Sequence, residues 1–219
     1  MKKLTLLFLG LCISFHITAQ DSSVKAKSLL DEVSSKMGAY ENMFIGFSSS
    51  LTNEEAGIGE NDEPPIRGNI TLKGEKYNLD YLGNKFLFDG NRLYIINNEE
   101  KEINISNEDL EEEDGFIYPS KLLTFYKDGY TFTWGKMKNL NGRKIQFVDL
   151  TPIDSNSDIV KVQLGIDART KHIYKLIQIG SNGSKTTFTV TKFKSNQPIS
   201  EKLFTFDKQK YLQQNYTID

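Results

Sequence analysis

Residues 67–97 read RGNITLKGEKYNLDYLGNKFLFDGNRLYIIN, and this stretch decides the fold. Short runs of β-forming residues alternate with glycine-containing turns at Gly74, at Gly83-Asn84 and at Asp89-Gly90. Side chains along a strand alternate between two faces. Tyr77, Leu79 and Tyr81 therefore share one face, and Asn78 and Asp80 the other. Phe86 and Phe88 precede Asp89-Gly90, the strongest short hairpin signal in the chain, and Leu93 and Ile95 alternate after it. The pattern predicts a β-meander whose apolar face must be covered, by protein or by a ligand.

Towards the N-terminus, Met43, Ile45 and Phe47 alternate into a first strand, separated from the meander by a polar, acidic, Gly- and Pro-containing loop over 53–65. Before that strand, Ala26, Leu29, Leu30, Val33, Met37 and Tyr40 recur at spacings of three and four behind the N-cap candidates Asp21, Ser22 and Ser23. This predicts an amphipathic helix. Its stripe either packs on the sheet or closes a cavity from above, and Met37, a flexible thioether, suits the second role.

Towards the C-terminus, 99–105 reads as a weak strand, followed by an acidic cluster over 108–114 that is expected to be a solvated loop. Pro119 suits the first position of a short second helix carrying Leu122, Leu123, Phe125 and Tyr126, with Asp128-Gly129 ending it. Runs at 130–137, 143–150, 159–166, 172–179 and 185–193 are each bounded by turn residues, and Phe132 with Trp134 shows the alternation of a half-buried sheet. The expected class is α+β, mainly β. A single antiparallel sheet of about ten or eleven strands curls into an incomplete barrel, with the N-terminal helix and the short internal helix over an apolar cavity.

Residues 1–20 carry a positive start, an apolar run and a small residue near the end, as a secretory signal does; the rest, 21–219, reads as one domain. Export to the periplasm is the expectation. The single cysteine, Cys12, lies inside that leader, so the exported domain has no disulfide. Without Lys2 and Lys3 the balance is 25 Lys and Arg against 29 Asp and Glu, which argues against nucleic acid. The remaining histidine, His172, is expected to be a structural surface residue, and no Gly-x-Ser-x-Gly elbow occurs. Enzymatic activity, metal and cofactor are not expected.

The order of features resembles the LolA family of periplasmic outer-membrane lipoprotein carriers. The likeness runs through a leader, an amphipathic helix, GNITLKGEKYNLDY, FLFDGNRLYII, PSKLLTFYKDGYTF, FVDLTP, GIDARTKHIYKL, TFTVTKF and SEKLFTFD. The resemblance implies a monomeric carrier whose apolar interior accepts the acyl chains of lipoproteins released by an inner-membrane ABC transporter and delivers them to an outer-membrane receptor. It places Tyr77 and Leu79 at the cavity mouth, with Tyr81, Phe86, Phe88, Leu93, Ile95, Phe132 and Trp134 as further lipid-facing positions. Leu29, Leu30, Val33 and Met37 on the first helix and Leu122, Leu123 and Phe125 on the second would form the lid. The family's lid-latching arginine is replaced by Lys73-Gly74-Glu75, leaving Lys73, Lys76 or Arg92 as substitutes. The same fold also fits a carrier of another amphiphile, or a lipid-sensing regulatory protein. The physical need for a carrier is large: at ~0.8 kcal/mol per CH₂, exposing a sixteen-carbon chain to water costs on the order of 12 kcal/mol.

Overall fold

The computed structural model describes residues 21–60, 62–107 and 121–219. The expected leader, the acidic cluster at 108–114 and Pro119 lie outside the described residues. Helix α1 covers residues 21–38. The strands are β1 (Met43–Thr52), β2 (Ile66–Lys73), β3 (Lys76–Tyr81), β4 (Asn84–Phe88), β5 (Leu93–Asn97), β6 (Glu102–Ser106), β7 (Tyr130–Leu140), β8 (Arg143–Pro152), β9 (Ile159–Asp167), β10 (Ile173–Gly180), β11 (Lys185–Ser195) and β12 (Thr217–Ile218). All twelve join one sheet in the order β12-β6-β5-β4-β3-β2-β1-β11-β10-β9-β8-β7, open between β12 and β7. Two antiparallel meanders, β1–β6 and β7–β11, are welded by the long β1–β11 pairing. The curled, unclosed sheet with a helix in its concavity is the architecture expected from the sequence. The twelfth strand was not foreseen, because two residues at the chain end carry no readable period.

The turns explain how the register is set. Between β3 and β4 the loop is Leu82-Gly83, both left-handed, and between β7 and β8 it is Asn141-Gly142, also both left-handed. These are the two-residue turns whose twist matches that of the flanking strands. The Asp89-Gly90 hairpin forms as expected, but over four residues: the Asp89 carboxylate accepts the N–H groups of Asn91 and Arg92 at 2.9 and 2.8 Å. The tight two-residue form of the signal sits at Asn141-Gly142, not at Asp89.

One principal core fills the concave face. Leu30 and Met37 of α1 are almost fully buried against Ile45, Ile70, Leu164 and Leu176 of the sheet, so the helix stripe packs on the sheet. Of the expected second helix, the described part keeps only its last turn. Residues 121–124 are a turn, and Phe125–Lys127 makes a single 3-10 turn that no side chain caps. Tyr126 nevertheless anchors it, buried and donating its hydroxyl to Asp31 of α1 at 3.0 Å.

The convex face of β4–β6 is also apolar, because Leu87, Tyr94, Ile96 and Ile103 point away from the first core. The C-terminal segment covers it. Asn42 and Gln197 exchange reciprocal hydrogen bonds at 2.9 and 3.0 Å where that segment leaves β11. The 3-10 turn Glu201–Phe204 then docks on β3, with Asn78 donating to the Leu203 carbonyl at 2.7 Å. Phe206 stacks on Tyr94 at 4.2 Å, helix α2 (Lys208–Gln213) follows, and β12 closes parallel to β6.

Candidate functional site

Between α1 and the centre of the sheet lies an apolar cavity of about 110 Å³ that is partly open to solvent. Its wall is built from inward positions of five strands: Ile45 and Phe47 of β1, Ile70 of β2, Leu79 of β3, Leu176 and Gln178 of β10, and Phe188 and Val190 of β11. Met37 of α1, Leu122 of the 121–124 turn and Ile173 complete it. Gln178 is the single polar side chain among these, and none is charged. The register explains the room. Phe47 stands opposite Gly68 on β2, where a Cβ would collide with its ring.

Along the strands the inner face changes character. At the end where α1 stops, Tyr77 is fully buried and stacks on Phe88 at 5.5 Å beside Met43, Leu72 and Leu93. At the opposite end the rings of Phe47, Tyr81 and Phe188 form a triad with centroids 5.4, 5.9 and 6.2 Å apart, in the tilted and edge geometries that aromatic pairs prefer. The Tyr81 hydroxyl is hydrogen-bonded to the buried Ser49 hydroxyl at 2.8 Å, which fixes its ring across the cavity end.

Of the positions expected to meet lipid, Leu79 lines the cavity and Tyr81 closes its end, while Met37 and Leu122 line it from the lid side. Tyr77, expected at the mouth, is instead in the packed core, because it lies one rung nearer the closed end than Leu79 and is roofed by Phe88. Phe88 and Leu93 are buried with it; Phe86, Ile95 and Phe132 are half-buried against the same core. Trp134 is 40% exposed, and its backbone N–H donates to the Ser22 hydroxyl at 2.9 Å, so it stands at the β7 edge beside the start of α1 and away from the cavity. Leu29 is buried beneath α1, and Leu30, Val33 and Leu123 surround a smaller crevice that Leu122 and Ile173 separate from the main cavity. Phe125 packs edge-on against Tyr130 at 5.7 Å.

Phe47, Phe188, Val190 and Leu176 are wall residues that the sequence pattern does not single out. Their period-two placement was visible; which rung would be left open was not. The lysines offered as latch substitutes do other work: Lys73 and Lys76 pair with Glu201 of the C-terminal segment, holding that carboxyl below its usual range chiefly through the Lys73 hydrogen bond. His172, expected on the surface, is half-buried. It is hydrogen-bonded to Tyr40 at 2.9 Å and lies 4.2 Å from the Phe193 ring. Burial, reinforced by Lys36, holds its imidazole below the ordinary value against the pull of Asp167. Among the described residues no cluster of three or more His, Cys, Asp or Glu is placed to hold a metal, and no helix is long and apolar enough to cross a membrane.

No family model and no curated protein matches the chain. Solved structures do. An uncharacterized conserved protein from Thermus thermophilus is 10% identical over 89% of this chain and 98% of its own, with a TM-score of 0.58. A LolA superfamily protein from Nitrosomonas europaea is 11% identical over 83% and 97%, with a TM-score of 0.42. A putative outer membrane lipoprotein-sorting protein domain from Vibrio parahaemolyticus is 15% identical over 85% and 99%, with a TM-score of 0.43. The likeness to the Thermus thermophilus protein is one of fold. At such identities the fold alone is shared, and the concave face of the sheet is where this chain keeps its cavity.

Proposed function

We propose that the protein is a periplasmic carrier, not an enzyme, which shields the acyl chains of lipoproteins in the concavity of its sheet while they cross water between the inner and outer membranes. The observation that carries this reading is the cavity itself: among the described residues eleven line it, ten of them apolar and none charged. A packed core has no use for such a gap, since unfilled apolar space forfeits contacts with every wall atom. A hydrocarbon chain restores those contacts and needs no hydrogen-bonding partner in return. The leader-like residues 1–20 and the order of LolA-like motifs support the same reading.

The cavity's size favours a modest cargo in the closed state. An apolar cavity of roughly 150 Å³ accommodates one benzene-sized molecule, so about 110 Å³ receives a short length of one chain. Loading a whole lipoprotein anchor requires α1 and the Leu122 turn to move off the sheet. A carrier of a single-chain amphiphile, the second reading, needs less movement, and the cavity volume favours it on that count.

Native mass spectrometry of protein purified from a host periplasm, followed by organic extraction, tests the proposal. Co-purified acylated lipoprotein or its lipid moiety is expected. A single other lipid supports the second reading, and an empty protein that also ignores fatty-acyl probes contradicts both.

A further inference from the structure

The turn between β3 and β4 contains an anomaly. Leu82 has φ 52 and Gly83 φ 78, so a leucine occupies a left-handed position normally filled by Asn, Asp or Gly. Burial does not compensate for it, since Leu82 is 57% exposed. Two further aliphatic residues stand exposed close by. Leu51, in step with Phe47 and Ser49 on β1, is 51% exposed, and Ile66, opposite Ser49 on β2, is 43% exposed. Ser49 is hydrogen-bonded to Tyr81, the neighbour of Leu82. Leu51 and Ile66 thus share the face of Ser49, and Leu82 directly follows Tyr81 in the turn, which puts all three residues at the cavity end that Phe47, Tyr81 and Phe188 close. Single exposed aliphatic residues are ordinary on protein surfaces. Three around one opening, one of them in a backbone conformation that disfavours it, are not.

We propose that this end of the sheet is the loading port: Leu51, Ile66 and Leu82 seat on a lipid bilayer surface, and the Phe47–Tyr81–Phe188 rings turn aside to pass an alkyl chain into the cavity. The proposal rests on the reading of the cavity as a hydrocarbon site. The rim has the chemistry for it, because aliphatic side chains left about half exposed gain burial at the boundary between headgroups and acyl chains. A chain drawn along this route passes from bilayer to rim, from rim to rings, and from rings to cavity. At no step does it cross bulk water. The hydrogen bond between Tyr81 and Ser49 supplies the closing force, and breaking it frees the ring to rotate.

The test follows transfer of a sixteen-carbon pyrenyl fatty acid from neutral phosphatidylcholine vesicles to the full chain, beside its equilibrium binding from aqueous solution. The rim variant combines Leu51→Ser, Ile66→Thr and Leu82→Asn, the last chosen because Asn suits the left-handed position and preserves the turn. Wild-type transfer is expected to accelerate with vesicle concentration, as contact transfer does. The rim variant should transfer about tenfold more slowly and without that dependence, while its affinity for the dissolved probe stays within about twofold. Tyr81→Phe should load and release the dissolved probe faster by the same factor. A rim variant that transfers at the wild-type rate overturns the port and leaves the cavity standing. A wild-type protein that takes the probe from neither source removes the cavity and the port together.

Discussion

Tyr77 and Tyr81 lie on the same face of the same strand, four residues apart, yet their surroundings are opposite. Tyr77 is fully buried, stacked on Phe88 and enclosed by Met43, Leu72 and Leu93. Tyr81 is half-buried between Phe47 and Phe188 at the end of an apolar cavity, with its hydroxyl on Ser49. One concave face thus has a filled end and an unfilled end. The filled end holds the fold together. The unfilled end is free to do something else.

The largest effect that separates the two ends should come from truncation. Tyr77→Ala is expected to destabilise by about 3–5 kcal/mol, the usual cost of removing a buried aromatic side chain. Tyr81→Ala should cost well under half of that, because its ring already borders empty space. Urea denaturation of both variants measures the gap, and equal losses would erase the distinction between the ends.

Adding volume should reverse the sign. Leu72→Phe overpacks the filled end and is expected to cost about 1–3 kcal/mol. Val190→Phe places a ring in the cavity and should stabilise by about 0.5–1 kcal/mol while blocking uptake of fatty-acyl probes. Stabilisation with undiminished uptake would mean that the chain binds elsewhere. A smaller effect is expected from Tyr81→Phe, which keeps the ring and deletes the bond to Ser49, at about 1 kcal/mol.

The subtlest prediction concerns His172, which joins α1's end to β11 through Tyr40 and Phe193. Its folded-state value is lowered, so the unfolded chain takes up the proton first as pH falls. The contribution of the neutral ring is complete above ~6.5, the ordinary histidine value, and is lost as pH drops from there towards the lowered folded value. His172→Phe keeps the contact with Phe193 and should flatten that part of the stability–pH curve. An unchanged slope in thermal melts would assign it to other groups.

Much of the sheet was legible because a strand's period of two survives in the sequence as Tyr77-Asn78-Leu79-Asp80-Tyr81 or Phe132-Thr133-Trp134. Helix α1 was legible for the same reason at spacings of three and four. The extent of the short internal helix was not, since the apolar density of Leu122, Leu123, Phe125 and Tyr126 reports burial and not conformation. Leu87, Tyr94 and Ile96 make both faces of β4 and β5 apolar, and nothing local says that Phe206 and Tyr211 return to cover them. The site posed the harder problem. Alternation assigns a side chain to a face, but which rung stays empty depends on the β1–β11 pairing that brings Phe47 beside Phe188, and on Gly68 leaving room for the Phe47 ring.

The most direct test of the unfilled end is photolabelling with a sixteen-carbon fatty acid carrying a diazirine near its methyl terminus, followed by peptide mass spectrometry. The cavity account predicts adducts on the wall residues Phe47, Leu79, Leu176, Phe188 and Val190, suppressed in Val190→Phe. Labels confined to the convex face around Tyr94 and Phe206, or spread evenly over the surface, would contradict it.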